Sequence, residues 1–590
     1  MKRRSTIGLS AIGAVAALVL AACGSGGGSS GGSSGGASAS AYNKAITSVV
    51  NSSSTKGGTI TYALSNVPDS TDPGNTYYAY NWNFTRLYAT PLMTYQSCPG
   101  TCGLNLVPGL ATGPGVQSAN GLTWTYHIKP NVYFSDGQLV TSQDVKYAVE
   151  RSFAKSVLVN GPSYFQVLLA PQKPAYTGPY TDKADGDMAL QAVQTPNSTT
   201  IVFHLAQRFA DFNYVVAIPQ TAPVPPNKDT GAQYQTDPIS TGPYMISSYQ
   251  LNKQYTLVPN PHWSASDDTQ VKQLASKIIV LLNVNAQDID NRTLAGDVQV
   301  NMAGTGVQAA TRGRILLNKT LKADADDPTT GFEWFAYLNT KVAPLNNLHC
   351  REAVEYAADK TTLQDAYGGP VLGGDIASTA MPPNIIGYKS FDDYKALSDP
   401  SGDLTDAKKQ LSLCGHPNGF TIGLGYRSDR PTETAAAQAL QAGLARAGIN
   451  AQLKGFPSGS YYSTYAGVPA YVHSHDLGID MGGWGADFPD AWGWFDELYN
   501  GNAIATAGNT NIAELSDPLV NSLLGKFQLT LNAATRNTYT TEINQQIMKD
   551  AAVLPIVYSK ALDYRPPNLT NVYVQDYYGM YNYGVIGTKP

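Results

Sequence analysis

Residues 476–494 read Asp-Leu-Gly-Ile-Asp-Met-Gly-Gly-Trp-Gly-Ala-Asp-Phe-Pro-Asp-Ala-Trp-Gly-Trp, and the pattern changes halfway along. Leu477, Ile479 and Met481 alternate with smaller or polar residues, which predicts a strand that ends at the glycine pair after Met481. Pro489 prevents a regular strand or helix from running through the second half of the stretch. The stretch therefore predicts a strand and then an irregular loop.

This loop contains two carboxylates, Asp487 and Asp490, among the three indoles of Trp484, Trp492 and Trp494. A carboxylate beside broad aromatic faces suits a small cationic or flat ligand, because charge pairing orients the ligand and stacking holds it. The alternative is a packed turn in which the tryptophans fill a core and the aspartates cap backbone amides. The loop alone leaves both interpretations open.

The composition is globular, with an unusual supply of amphipathic aromatic side chains. Only 14% of the 590 residues are charged, whereas 37 are tyrosines and 7 are tryptophans. The length predicts two or three domains, because a single core rarely grows to this size. The net charge of −5 gives no electrostatic reason to bind nucleic acid, so we expect no nucleic-acid partner.

The first residues are typical of an export signal. Basic residues 2–4 precede an apolar run, residues 7–22, that is too short to suit a membrane-spanning helix. The run ends Leu-Ala-Ala-Cys at Cys23, which resembles a bacterial lipoprotein signal, and in that family the cysteine carries a lipid. An ordinary secretory signal with an incidental cysteine is the alternative.

A tether comes after the signal. Residues 24–40 are only glycine, serine and alanine, so we expect a flexible segment that extends over residues 24–55. A lipid, a tether and a globular body describe a protein held at the outer face of the bacterial cytoplasmic membrane. No later segment of the sequence suggests a transmembrane helix.

The remaining cysteines are Cys98, Cys102, Cys350 and Cys414, and outside the cytoplasm an even number favours disulfides. Cys98 and Cys102 enclose a short loop with a Pro-Gly turn, so we pair these two and leave Cys350 to Cys414. A metal site at Cys98 and Cys102 is the alternative, but no local histidine or second cysteine pair completes one. We expect no metal and no other cofactor.

A second possible metal motif is His473-Ser-His475. On a strand, this spacing would place both imidazoles on one face. A solvated loop before the 477–481 strand is the commoner outcome, and we expect that one.

Residues 107–153 form the most regular block. An alternating segment, residues 122–128, predicts a strand, and Asp136-Gly137 predicts a turn. Thr141-Ser-Gln-Asp144 predicts a capping box at the start of a helix that continues to Phe153. Nothing in this block suggests catalysis.

Upstream of this block, residues 58–64 alternate like a first strand and precede a loop and an aromatic cluster. The cluster includes Tyr77 and Tyr78. Aromatic residues in this position either fill a core or line a cleft, and the sequence leaves both open.

Motifs recur in a specific order along the chain: Val107-Pro-Gly-Leu-Ala, Phe134-Ser-Asp-Gly, Thr141-x-x-Asp-Val, Glu150-Arg151, Ser240-Thr-Gly-Pro-Tyr244, Pro259-Asn-Pro-His-Trp263, Tyr337-Leu-Asn-Thr340, Cys350-Arg-Glu-Ala-Val-Glu-Tyr-Ala-Ala-Asp-Lys360, Trp484-Gly-Ala-Asp-Phe-Pro-Asp490 and Leu554-Pro-Ile-Val-Tyr558. Their order resembles the solute-binding proteins of peptide-type ABC importers, extracytoplasmic family 5. The resemblance runs from about residue 57 to residue 558. Each motif alone is modest, but the ordered set is specific.

The resemblance implies an α/β, bilobed, periplasmic-binding-protein-like fold (type II, cluster C) with an extra subdomain inserted in the first lobe. We expect lobe I over residues 56–332, the insertion at about 90–195, lobe II over 333–556 and a return to lobe I over 557–590. Residues 154–238 are rich in proline, tyrosine and asparagine and show few periodic runs, so we expect surface elaboration there.

The resemblance also implies a ligand site between the lobes. Asp487 matches the aspartate of the family's Trp-x-x-Asp motif, which pairs with the ligand α-ammonium in peptide-binding relatives, and Trp484 would form a neighbouring wall. Arg430 is the nearest match to the arginine that grips the ligand carboxylate in dipeptide binders, with a solvated loop as the alternative. The remaining expected ligand contacts are Tyr77, Tyr78 and Trp492.

The function implied by the resemblance is reversible capture without catalysis. We expect a monomer that delivers small peptides to an ABC permease, so that its protein partners are the permease subunits and, through them, the ATPase. The same fold binding an oligosaccharide, a metal complex or a signal is one alternative. Another is an extracellular hydrolase using Asp487 and Asp490, but two carboxylates three residues apart in one loop have no obvious opposed geometry across a substrate. We therefore expect no enzyme.

Overall fold

The computed structural model describes residues 41–181 and 190–589. The predicted export signal, the lipid attachment at Cys23 and residues 24–40 of the predicted tether lie outside these residues. No helix within the described part of the chain is long and apolar enough to cross a membrane.

The first lobe is built on a mixed sheet whose strands are, in order across the sheet, Val300–Asn301, Thr59–Ala63, Lys277–Leu281, Gln254–Pro259 and Tyr244–Gln250. The first three are parallel, and the last two are antiparallel to their neighbours. Residues 569–586 near the end of the chain contribute to the same buried core. The C-terminal segment therefore completes the first lobe.

Residues 41–50 are folded onto this lobe, although the composition placed them in the tether. A short helix, Lys44–Thr47, buries Ala45, whose amide donates to Asp326 Oδ1 at 2.9 Å. Val50 is also fully buried and pairs with Val572. The predicted tether boundary at residue 55 is too late, because these two small apolar side chains anchor the segment.

The inserted subdomain has an antiparallel sheet with strands in the order Val116–Gln117, Thr123–His127, Thr200–His204 and Val193–Asn197. The helix Ser142–Ser152 packs on it and begins with the predicted capping box, in which the Thr141 amide donates to Asp144 Oδ2 at 2.8 Å. The strand at 200–204 is central, and the buried core extends to Val216. The predicted end at 195 is therefore too early, and residues 154–238 are more than surface elaboration.

The second lobe is built on a sheet whose strands are, in order, Asp375–Ile376, Val553–Lys560, Thr329–Leu338, Leu477–Gly485, Thr421–Arg427 and Asn450–Phe456. Strands 329–338 and 553–560 are antiparallel neighbours that carry the chain into and out of this lobe. Its longer helices are Leu348–Ala357, Lys360–Tyr367, Leu404–Leu413, Pro431–Ala445, Ala491–Tyr499, Pro518–Leu529 and Ala533–Lys549.

Smaller elements complete the two lobes. The other α-helices of four or more residues in the described chain are Ala79–Thr85, Tyr164–Leu168, Phe212–Val215, Ala286–Ala295, Ala309–Leu317, Lys319–Ala323, Gly369–Leu372 and Pro469–Ser474. Short antiparallel strand pairs are Met93–Tyr95 with Leu106–Pro108, Ala325–Asp326 with Asp563–Tyr564, Leu569–Thr570 with Gly587–Thr588, and Val574–Gln575 with Met580–Tyr581.

The strand before the aspartate loop continues through the glycine pair that was predicted to end it. It reaches Gly485 and pairs with strand 329–338 along its length. A Cβ on Gly483 would lie 2.5 Å from the Phe332 ring and 2.6 Å from the Trp334 ring. The glycines therefore make room for aromatic rings of the neighbouring strand instead of terminating the sheet.

Both predicted cysteine pairs are bonded in the structure. Cys98 and Cys102 have Cα atoms 6.0 Å apart, and Cys350 and Cys414 have Cα atoms 5.4 Å apart. The second bond joins helix 348–357 to the end of helix 404–413, within one lobe.

Candidate functional site

The aspartate loop is short because a helix begins directly after it. Asp490 is the N-cap of helix Ala491–Tyr499, and its Oδ1 accepts from the Gly493 amide at 2.9 Å. Trp494 is fully buried, and its Nε1 donates to the Ala380 carbonyl at 2.7 Å. The packed-turn interpretation therefore describes Asp490 and Trp494.

Asp487 has a different environment, formed by the first lobe. Its carboxylate accepts hydrogen bonds from the hydroxyls of Tyr77 and Tyr164. The Tyr577 hydroxyl donates to the Asp487 backbone carbonyl at 2.8 Å. Three tyrosines of the first lobe thus hold one aspartate of the second lobe, and the site lies between the lobes.

A cavity of about 520 Å³ opens beside Asp487. Its aromatic walls are Tyr77, Tyr164, Trp484 and Trp492. Its carboxyl groups are Asp487, Asp496 and Glu497. No lysine or arginine of the described chain lines it. This combination of aromatic faces and uncompensated carboxyl groups suits a cationic ligand.

Burial governs the titration of these carboxyl groups. It raises the pKa of Asp487, while the hydrogen bonds from Tyr164 and Tyr77 lower it. Burial raises the pKa of Asp496 to about 6. Burial also raises the pKa of Glu497, and the charge of Asp487 raises it further. A ligand cation would favour the ionised form of each group, so binding and ionisation are coupled.

The structure brings most of the predicted ligand residues together, but it separates two from the others. Tyr78 is 55% exposed and stacks on Tyr80, with ring centroids 5.5 Å apart. Arg430 lies at the start of helix 431–445, where its Nε donates to Ser458 Oγ at 3.1 Å. It lines another cavity, of about 380 Å³, together with Trp334. Neither side chain lines the Asp487 cavity, because local partners hold each one elsewhere.

The sequence patterns did not identify several residues of the site. Tyr164 lies in the stretch without clear periodicity, and Tyr577 lies near the end of the chain. Asp496 had a usable signal: it lies four residues after Trp492, and helical residues four apart share a face. Predicting that the helix begins immediately after Asp490 would have placed Asp496 in the site.

The two histidines near this strand have other contacts. His473 lies in helix 469–474, and its Nε2 is 2.7 Å from Glu514 Oε1. His475 stacks on Tyr471, with ring centroids 3.8 Å apart. Across residues 41–181 and 190–589, no cluster of three or more histidine, cysteine, aspartate or glutamate side chains is arranged to hold a metal ion.

Comparison with known proteins agrees with this architecture. Residues 105–506 match the family described as bacterial extracellular solute-binding proteins, family 5 Middle. The probable D,D-dipeptide-binding periplasmic protein DdpA of Escherichia coli (strain K12) is 25% identical over 499 residues, which cover 82% of this chain and 85% of that protein. The di/tripeptide-binding protein 1 of Pseudomonas aeruginosa (strain UCBPP-PA14) is 25% identical over 490 residues, which cover 79% and 83%.

A solved structure is more similar in sequence. The clavulanic acid biosynthesis oligopeptide binding protein 2 superposes with a TM-score of 0.87 at 37% identity, covering 94% of this chain and 99% of its own. The match extends over both lobes and the inserted subdomain. The chain belongs to the bacterial extracellular solute-binding proteins of family 5.

Proposed function

We propose that this protein is the extracytoplasmic substrate-binding component of an ABC importer. It captures small peptides between its lobes and delivers them to a membrane permease, through which it works with the ATPase. The observation that carries the proposal is Asp487, a carboxylate that lines the interlobe cavity and accepts hydrogen bonds from two tyrosine hydroxyls of the opposite lobe. The printed names of the relatives, which describe binders of dipeptides, tripeptides and oligopeptides, support a peptide ligand.

The peptide amino terminus would pair with Asp487. Enclosing a carboxylate between the lobes removes it from water, which is energetically costly. The positive charge of a ligand ammonium beside it would offset this cost. An ammonium has three donors, so it can share the carboxylate with Tyr77 and Tyr164 while contacting the aromatic walls. Ligand binding would then favour the closed arrangement of the lobes, because the cation interacts with both lobes only when they are closed.

The charge of the cavity narrows the ligand class. Asp496 and Glu497 add negative charge near Asp487, and no basic side chain of the described residues lines the cavity to balance it. An acidic ligand side chain at this end would face like charges, which are costly in a partly desolvated site. We therefore favour neutral or basic residues near the amino end of the peptide.

The proposed location depends on the sequence rather than on the described residues. A lipid on Cys23 and a glycine- and serine-rich segment after it would hold the protein at the outer face of the cytoplasmic membrane. Release of the protein from membranes by detergent but not by high salt, and loss of membrane attachment in Cys23→Ser, would test the lipid anchor.

The central test is native mass spectrometry of the purified full-length chain. We expect small peptides to be released on mild unfolding, and the refolded protein to rebind them. The same measurement on Asp487→Asn should find little bound peptide, whereas Asp365→Asn, an exposed aspartate of the same lobe, should match the wild type. Release of a sugar, a metal complex or no ligand would contradict the peptide proposal, and turnover of the released compound would revive the hydrolase.

A further inference from the structure

The residues immediately after Asp487 form the seam between the second lobe and the inserted subdomain. Phe488 is fully buried, with its ring 5.7 Å from Tyr164 and 5.5 Å from Tyr214, measured between centroids. Trp492 packs edge-on against Phe209 at 4.7 Å. The loop that carries the proposed ligand carboxylate is thus also a principal contact between lobes.

A buried ion pair lies beside this seam. Nη2 of Arg536, on helix 533–549 of the second lobe, contacts a carboxylate oxygen of Asp211 in the first lobe and Oδ2 of Asp490 at 2.9 Å. The side chain of Asp211 is only 2% exposed, that of Asp490 4% and that of Arg536 13%. One guanidinium therefore bridges two buried carboxyl groups that belong to different lobes.

The environment makes this cation hard to replace. The Arg536 guanidinium lies over the Phe527 ring, 3.7 Å from its centroid. Burial raises the pKa of Asp211 well above its usual value, and the charge of Asp490 raises it further, whereas Arg536 lowers it. Without Arg536 the two carboxylates would face each other in a poorly solvated space, an arrangement that is costly until one of them is protonated or the lobes separate.

The contacts of the ion pair differ in their dependence on closure. The Arg536–Asp490 contact lies within the second lobe and does not depend on closure. The Arg536–Asp211 contact exists only while the lobes meet.

We propose that Asp211, Arg536 and Asp490 form an interlobe latch that stabilises the closed state and positions the Asp487 loop. Arg536 holds the loop through Asp490, three residues after Asp487, and fastens it to the first lobe through Asp211. These are positioning residues, because none of them lines the Asp487 cavity. The inference rests on the proposed function in one respect: the latch would set how long a captured ligand stays enclosed.

A backbone hydrogen bond beside the latch supplies a direct readout. The amide of Ala210, next to Asp211, donates to the Gln528 carbonyl at 2.8 Å across the lobe boundary. Its hydrogen–deuterium exchange therefore reports opening at the latch without requiring a known ligand. Amides of strand 329–338, inside the second-lobe sheet, report the integrity of the fold.

The experiment compares the full-length wild type with Asp211→Asn and Asp237→Asn by exchange mass spectrometry. Both substitutions replace an aspartate of the first lobe with asparagine, but Asp237 is exposed and takes part in no ion pair among the described residues. We expect about tenfold faster exchange at Ala210 in Asp211→Asn, no change in Asp237→Asn, and unchanged exchange in strand 329–338 in both. Equal exchange at Ala210 in Asp211→Asn and the wild type would overturn the latch, as would a wild-type Ala210 amide with no protection.

A double-variant cycle separates the latch from a local packing defect. Arg536→Gln should accelerate exchange at Ala210 more than Asp211→Asn, because it leaves two carboxylates facing each other. Combining the two substitutions should accelerate exchange less than the product of the two separate effects, since Asp211→Asn removes one of those charges. Multiplicative effects would contradict the shared ion pair.

The same samples distinguish failure of the latch from failure of the peptide proposal. Faster exchange in Asp211→Asn without any bound peptide in the wild type would support the latch and refute peptide capture. Bound peptides in the wild type, together with unchanged Ala210 exchange in Asp211→Asn, would support peptide capture and refute the latch. If both proposals hold, peptide should dissociate about tenfold faster from Asp211→Asn than from the wild type, with a smaller change in association rate.

Discussion

The hydroxyl of Tyr164 donates a hydrogen bond to the carboxylate of Asp487, although the two residues are 323 positions apart and belong to different lobes. The contact joins the inserted subdomain of the first lobe to the loop after a central strand of the second. A ligand group that displaces this hydroxyl, or shares the carboxylate with it, therefore contacts both lobes at once. This relationship connects ligand capture to closure in physical terms.

The first prediction concerns Asp487 itself. Asp487→Asn should weaken binding of a short peptide by about 2–5 kcal/mol, because an ammonium would lose its charged partner while remaining partly desolvated. Isothermal titration calorimetry measures the change. Asp365→Asn supplies the matched control, and an unchanged affinity in Asp487→Asn would exclude the amino-terminus assignment.

The second prediction concerns the tyrosine hydroxyls. Tyr164→Phe keeps the ring that packs on Phe488 but removes the donor to Asp487, so peptide binding should weaken by about 0.5–1.5 kcal/mol. Tyr78→Phe should leave binding unchanged, because Tyr78 does not line the cavity. Equal losses in the two variants would show that the hydroxyl of Tyr164 has no specific role.

The sequence predicted the elements that depend on neighbouring residues. The capping box from Thr141 to Asp144 is present, because both partners lie within one helical turn. The alternating segment at 477–481 is a strand. The end of this strand was mispredicted because the glycine pair makes room for aromatic rings on a neighbouring strand, and that strand is distant in sequence.

The site was only half predictable for the same reason. Asp487 and Trp484 belong to a recognisable local motif, whereas Tyr164 and Asp211 reach the loop only after the inserted subdomain has folded and the lobes have met. No periodicity marks such residues, since their role is set by a contact between lobes. Arg430 shows the converse: a plausible motif match is held by Ser458 away from the Asp487 cavity.

The third prediction is a pH dependence of binding. The pKa of Asp496 is raised to about 6, so this carboxyl group is largely protonated below that pH and charged above it. Affinity for a cationic peptide should therefore rise as the pH increases through about 6, provided that the ligand remains protonated. Titrations between pH 5 and pH 8 test this, and Asp496→Asn should flatten the rise. A rise of equal size in Asp496→Asn would assign the dependence to other groups.

The same shift has a consequence for stability. Because the pKa of Asp496 is higher in the folded protein than its usual value of 3.8, the folded state retains this proton to a higher pH than the unfolded state does. The contribution of Asp496 to the free energy of unfolding is therefore most favourable at low pH and decreases as the pH rises from about 4 to about 6. Asp496→Asn should remove this part of the pH dependence in denaturant titrations of the ligand-free protein.

The fourth prediction uses ligand charge as the variable. A peptide with lysine at its second position should bind more tightly than the otherwise identical peptide with glutamate, because Asp496 and Glu497 lie beside Asp487 in the same cavity. The preference should shrink in high salt and in Glu497→Gln. Competition titrations with the two peptides measure it, and a preference for glutamate would contradict the proposed charge of the site.

The fifth prediction separates stability from binding. The Cys350–Cys414 disulfide closes a chain segment with a sequence separation of 64 and lies within the core of the second lobe, so removing it should cost about 2–5 kcal/mol in the free energy of unfolding. Neither cysteine lines the Asp487 cavity, so the Cys350→Ala, Cys414→Ala double variant should bind peptide with nearly wild-type affinity at temperatures where it remains folded. Thermal unfolding and calorimetry on the same preparation test both parts. A large loss of affinity with an unchanged melting temperature would mean that this disulfide acts on the site and not on the stability of its lobe.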